Sequence, residues 1–356
     1  MFAYRSHLPA LPIQLLVLLA LPALALLHML PGMDRLIDGH ADNYRLMAEE
    51  MITGNIQPAL QLVSWLSAGL AIWLFDRNLS LASSGARPQS RFLYAGVWLF
   101  LAPVFIQSGL AALPGMLALA LLLAVMYLSG KAMDNRGGLH GIGAFFLAGL
   151  AMAVQPTLWP VLTVFLFAAA REALRGGHIM VLIGMLTALG FSLWPFVWWS
   201  GQWLIFLTDA GLVRQWRLSN WVQSEVDMSF ATSLTHNLAS AWPKWLYVLL
   251  PLFHPAFCLV LPVLLLVLKH TDWQLPFRRT LLVGLGLYLF YLGGLPVQSF
   301  QLLLPAYAIL LLLLFQAWDR FQAYGEFFFP RLTYGIIAAC ILVQLTANLA
   351  YGLPLR

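Results

Sequence analysis

Residues 33–55 read MDRLIDGHADNYRLMAEEMITGN, and the fold turns on what surrounds them. They are the first polar segment after an apolar run long enough to cross a bilayer. They also hold Asp34, Asp38, Asp42, Glu49 and Glu50, five of the chain's fourteen acidic residues, against Arg35 and Arg45. An acidic loop on an otherwise apolar chain needs water on its own side of a membrane. The preceding run is therefore read as a retained span rather than a cleaved leader, since no small-residue cleavage site follows it. Any chemistry the protein performs is expected to draw on this loop.

The rest of the 356 residues bear out that premise. The chain is 61% hydrophobic and 9% charged, whereas soluble domains carry about 25% charged residues. Apolar runs recur from end to end at roughly the 20-residue length a helix needs to cross hydrocarbon. The weak ten-residue alternation of a membrane β-barrel is absent. These features predict an all-α, polytopic membrane protein with a single transmembrane domain over 1–356. The formal charge of +5 does not imply a nucleic-acid partner, because the basic residues sit in short turns between spans. Cys258 and Cys340 fall inside expected spans and read as small apolar packers.

About eleven transmembrane helices are expected, near 8–30, 58–75, 92–107, 109–129, 140–155, 157–170, 179–200, 245–268, 280–296, 301–317 and 332–350. With the N-terminus inside, thirteen of the nineteen Lys and Arg residues fall in the cytoplasmic segments and six on the opposite face. That bias sets the orientation and puts the C-terminus outside, in what is expected to be a bacterial inner membrane. The fifth and sixth spans, split by Gln155-Pro156-Thr157, read as a pair that need not both cross fully. Two connections are long, and both lie on the extracytoplasmic face: the first external loop, 31–57, and a second, 201–244. In the first, Tyr44, Met47, Ala48 and Met51 recur at helical spacing, with Arg45 and Glu49 paired on the other side. Asp42 or Asp38 suits the N-cap and Gly54 the stop. Trp203, Phe206, Leu207, Val213, Trp216 and Arg217 suggest a similar helix in the second loop. Both are amphipathic surface helices, apolar face down.

Motif and topology together resemble the GT-C superfamily of membrane glycosyltransferases, which use polyprenyl-phosphate sugars as donors. Residues 44–51, followed by Thr53-Gly54, are similar to the surface helix of the aminoarabinose and protein-mannose branches: Tyr, three residues, Ala-x-x-Met, then Gly. Ala148-Gly149 with residues 150–156 resembles the family's fifth-span pattern, and 301–311, with Pro305 and Ala306-Tyr307, its late span. The resemblance implies a long first external loop bearing a catalytic acid and a second loop between spans seven and eight. Three positions depart from the pattern. His40-Ala41 stands where those branches have Asp-Glu, and Gln155 and Gln301 stand where Lys or Arg is common. Each departure removes charge.

Glycosyl transfer from a lipid phosphate needs a base for the acceptor hydroxyl and donors that hold the leaving phosphate as its charge grows. Asp42 and Asp38 are the base candidates, against the alternatives of helix cap and solvated loop acid; His40 is a third candidate, titrating near neutrality. Arg214 and Arg217, three apart on one helix face, suit phosphate, with Lys244 and His236 behind them; the alternative is non-specific contact with headgroups. Gln155 and Gln301 are further donors toward phosphate or sugar, although glutamines in spans also bond across helices. Tyr44, Trp203, Trp216 and Trp221 are candidates for stacking on sugar rings, against an aromatic belt at the membrane boundary. His254 is an ionisable group within a span, and Pro255 beside it makes a structural bond the competing use. Asp209, Glu225 and Asp227 offer oxygens to a divalent ion, but no ligand spacing supports one, so no metal and no cofactor are expected. The expected partners are a polyprenyl-phosphate-linked donor, membrane lipids and a protein of an envelope-glycan complex. Two other functions fit part of the pattern: a non-catalytic GT-C-like subunit of an assembly or export complex, and an O-antigen ligase or polymerase.

Overall fold

The computed structural model describes residues 57–82, 98–99, 102–110, 114–134, 138–200, 230–239, 243–254, 257, 260–267, 275–295, 300–323, 339–340, 342–343 and 346. Among these there is no strand. The chain is all-α: α1 (Gln57–Ala82), α2 (Pro103–Leu110), α3 (Pro114–Asp134), α4 (Gly138–Val154), a 3-10 turn (Pro156–Leu158), α5 (Trp159–Arg175), α6 (Ile179–Ser200), α7 (Phe230–Ala239), α8 (Pro243–Phe253), α9 (Leu261–Val267), α10 (Pro276–Gly294) and α11 (Phe300–Ala323). Gly115–Asp134, Pro156–Arg175 and Phe300–Ala317 are each long and apolar enough to cross a membrane, the mark of an integral membrane protein. Of the fifth and sixth expected spans, the second therefore qualifies at full length. The first, α4, has 17 residues and is about 25 Å long.

The centre of the bundle is α11. Its residues 302–309 and 311–317 are buried on every side, as a helix apolar all round must be, and α1, α2, α3, α8, α9 and α10 pack against it. Tyr307 donates its hydroxyl to the Trp98 carbonyl at 2.9 Å. Phe315 meets Phe75 and Trp98 edge-on.

On one flank α4 lies between α3 and α6. The approach to α6 is close because α4 offers glycines: a Cβ on Gly141 would meet the Met185 methyl, and one on Gly149 the Ser192 hydroxyl. Small residues at such contacts are what let membrane helices touch, which gives Ala148-Gly149 a packing role of its own. The outer face of α6 exposes Ile183, Leu186, Phe191 and Trp194, a surface suited to lipid rather than water. Between α5 and α6 the chain turns on Gly177 (φ 70°). The bonds from Gly177 N to Leu174 O and from His178 N to Ala173 O close the end of α5, a turn that requires the left-handed conformation glycine adopts freely.

Prolines account for the differences from the expected spans. The helix expected at 109–129 instead begins at Pro114, because proline suits the first helical position, where no N–H is needed. Inside the expected 92–107 span, Pro103 has no N–H for the Leu99 carbonyl, and a helix restarts there. The expected 245–268 helix is two pieces, α8 and α9. His254 N still bonds Leu250 O at 2.8 Å, but Pro255 cannot bond onward to the Pro251 carbonyl and forces the residue before it out of helical geometry. At the other extreme, α1 runs past the expected end at 75 to Ala82. The polar residues there are accommodated: Asn78 donates to Leu74 O and Leu123 O at 2.9 and 2.8 Å, and Arg77 lies over the Trp73 ring.

The two ends of the bundle differ in charge. Arg77, Lys131, Arg171, Arg175, Arg278 and Arg279 all lie near the end where α1, α3 and α5 finish and α10 starts. Among the described residues Lys244, in the first turn of α8, is the one Lys or Arg position at the opposite end.

Candidate functional site

That opposite end gathers the helix break between α4 and α5, the end of α10, the start of α11, and the short helices α7 and α8. Gln155 is the joint between α4 and the 3-10 turn. Its backbone is extended (φ −143°, ψ 94°) because the following proline disfavours helical geometry at this position. The side chain is 5% exposed, and its Nε2 donates to Thr157 Oγ1 at 3.1 Å. Thr157, 2% exposed, lies within side-chain hydrogen-bonding reach of the Tyr288 phenol on α10. Tyr288 in turn donates to the Leu302 carbonyl at 2.8 Å. Leu302 sits beside Gln301, whose own carbonyl has lost its helical donor to Pro305. One buried phenol thus lies beside the Gln155-Pro156-Thr157 turn and bonds the proline-bearing turn of α11, about 145 residues further along the chain.

Aromatic groups wall the cluster. The Trp159 ring meets Tyr291 at 5.8 Å between centroids, edge-on, and Tyr247 of α8 is buried near Tyr288. His254 stacks on Phe300 at 4.9 Å. The polar stripe of α7 caps α10: Ser233 Oγ donates to Tyr291 O at 2.7 Å, and Asn237 Nδ2 to Phe290 O at 2.7 Å. The last carbonyls of a helix lack internal donors, the Leu295 N–H turns back to Leu292 O, and Ser233 supplies a donor to Tyr291 O. The fit is tight, since a Cβ on Gly294 would strike Ser233 Oγ and its backbone, the carbonyl carbon at 2.6 Å. Backbone cannot rotate away, so Gly294→Ala is expected to destabilise the protein by about 1–3 kcal/mol. It should also expose α7 to limited proteolysis. Wild-type resistance in that variant would contradict the packing of α7 on α10.

Of the residues read as candidates, Gln155 is buried in the cluster and Gln301 is half-buried at the first turn of α11. His236 falls on α7 and Lys244 on α8, and both helices pack on α10; their side chains lie outside the described set. Asp38, His40, Asp42, Tyr44, Trp203, Arg214, Trp216, Arg217 and Trp221 lie outside the described residues, as do the expected surface helices and Asp209, Glu225 and Asp227. The described acidic positions Asp76, Asp134, Glu172 and Asp319 are all toward the basic end, so this cluster supplies hydroxyls, an amide and rings but no described carboxylate. No group of three metal-ligating side chains occurs among the described residues.

Sequence reasoning passed over Thr157, Tyr288, Ser233 and Asn237. The signal was present in Tyr288 and Tyr291, three apart in an apolar helix, because a buried phenol needs an acceptor. Comparison with known proteins returned no matching family model, no matching curated protein and no matching solved structure.

Proposed function

We propose that the protein is a GT-C-like membrane glycosyltransferase that moves a sugar from a polyprenyl-phosphate donor to an envelope glycan, lipid or protein on the extracytoplasmic face of a bacterial inner membrane. The observation that carries the reading is the position of Tyr288. It bonds Leu302 in 301–311 and lies beside Thr157, just after 148–156, the two stretches that separately resemble the family's spans, at the end of the bundle where the described residues are poor in Lys and Arg. The charge asymmetry supports a cytoplasmic basic end, with the Gln155 cluster on the other side and the C-terminus with it.

In this mechanism Asp42 or Asp38, with His40 as the alternative, takes the proton of the acceptor hydroxyl as it attacks the anomeric carbon. Arg214 and Arg217, with Lys244 and His236, hold the departing lipid phosphate. Gln301 bonds sugar or phosphate, and Tyr44, Trp203, Trp216 and Trp221 stack on the sugar. Gln155 acts from beneath, through Thr157. The test is mass spectrometry of lipids retained by the protein purified in mild detergent. A polyprenyl-phosphate species enriched over bulk lipid is expected; recovery of ordinary phospholipids alone, together with no binding of added polyprenyl phosphate, would sink the proposal.

One observation favours a second reading, a non-catalytic subunit of a glycan-assembly complex. The Gln155 amide, at a position where Lys or Arg is common, is engaged by Thr157 inside the protein. A stable protein partner on purification, with no retained donor lipid, distinguishes that reading from the first.

A further inference from the structure

We infer that the interior shared by α1, α2, α3 and α11 is a hydration site, in which the Gln316 amide binds ordered water. Gln316 is 1% exposed on the central helix, and neither its Nε2 nor its Oε1 has a hydrogen-bond partner among the described residues. A primary amide carries two donors and an acceptor with two lone pairs, and a buried polar group left without any partner is disfavoured enough that native proteins rarely keep one.

Gln316 does not stand alone. Asn78 Oδ1 on α1, Ser108 Oγ on α2 and Ser129 Oγ on α3 are likewise buried without a partner among the described residues, each in a residue no more than 1% exposed. The four helices that carry these groups are mutual neighbours: α11 packs on α1, α2 and α3, α1 on α2 and α3, and α2 on α3. Buried water bonds polar groups that would otherwise go unsatisfied, and here amide and hydroxyl groups on four mutually packed helices lack a partner among the described residues. The Asn78 amide nitrogen is already committed to two carbonyls, so its oxygen is the atom left to accept from water.

Pulsed radiolytic footprinting of the full chain in nanodiscs tests the inference, because radicals formed from bound water label adjacent side chains that bulk radicals do not reach. Phe315, next to Gln316 and 2% exposed, should be oxidised severalfold faster than Phe165, which is 0% exposed on α5. In Gln316→Leu that excess should vanish while Phe165 is unchanged. Gln316→Met, which keeps the length of the side chain, serves if the leucine variant does not fold. Equal labelling of Phe315 and Phe165 in the wild-type protein, or an excess that survives loss of the amide, would overturn the inference. The result is independent of any transferase activity.

Discussion

Tyr307→Ala is expected to lower the unfolding free energy by roughly 3 kcal/mol, the largest stability effect of any single truncation considered. In a bilayer the usual gain from removing apolar surface from water is absent, so the loss has two other sources. The first is the cavity: Tyr307 is 0% exposed on a helix enclosed by six others, its ring lies 5.3 Å from that of Phe257, and a rigid bundle cannot collapse around the gap. The second is the Trp98 carbonyl, which loses the hydroxyl that bonds it at 2.9 Å. Tyr307→Phe separates the two, since it keeps the ring and should lose only about 1–2 kcal/mol. Denaturant titration in mixed micelles reads both. Equal losses in the two variants would mean that the hydroxyl, not the packing, carries the effect.

The largest expected effect on activity is that of the double substitution Asp38→Asn with Asp42→Asn. If either carboxylate is the base for the acceptor hydroxyl, kcat should fall by about 10²–10⁴-fold, the range general-base catalysis supplies. Donor affinity should change little, because the phosphate is assigned to Arg214 and Arg217. Asparagine keeps shape and helix-capping ability, so a loss of activity would not be a loss of the surface helix. Full activity in the double variant would remove the first loop from the chemistry. Loss confined to Asp42→Asn alone would assign the base to that residue.

Much of the fold was legible because lipid imposes a simple rule. A span must be apolar for about 20 residues and satisfy its own backbone, so α6 was placed at 179–200 from hydropathy alone. What hydropathy could not place were the breaks. Pro103, Pro114 and Pro255 barely alter mean apolarity, yet each removes a backbone donor, and that decides where a helix starts or stops. The end of α1 also differs from the expected span. The expected span stops at 75, before Asp76 and Arg77, but an aromatic face under Arg77 and two carbonyls around Asn78 let the helix continue. The candidate cluster was only half legible for a related reason. Gln155 and Gln301 drew notice as places where a charge was missing, while Tyr288, which lies beside one of their turns and bonds the other, looked like one more apolar residue. Its meaning lies in the Leu302 carbonyl, and no local pattern announces a contact between α10 and α11.

The position of α11 in the chain has a consequence for how the protein is made. The six helices that enclose it all precede residue 300, so the ribosome delivers the wall before the post it is built around. Until α11 is inserted those helices have no common partner, and assembly must be completed after residues 300–323 are made. A nascent chain stalled before that point would leave α10 and α1 facing lipid with surfaces shaped for another helix, a form that membrane quality-control proteases are well placed to recognise.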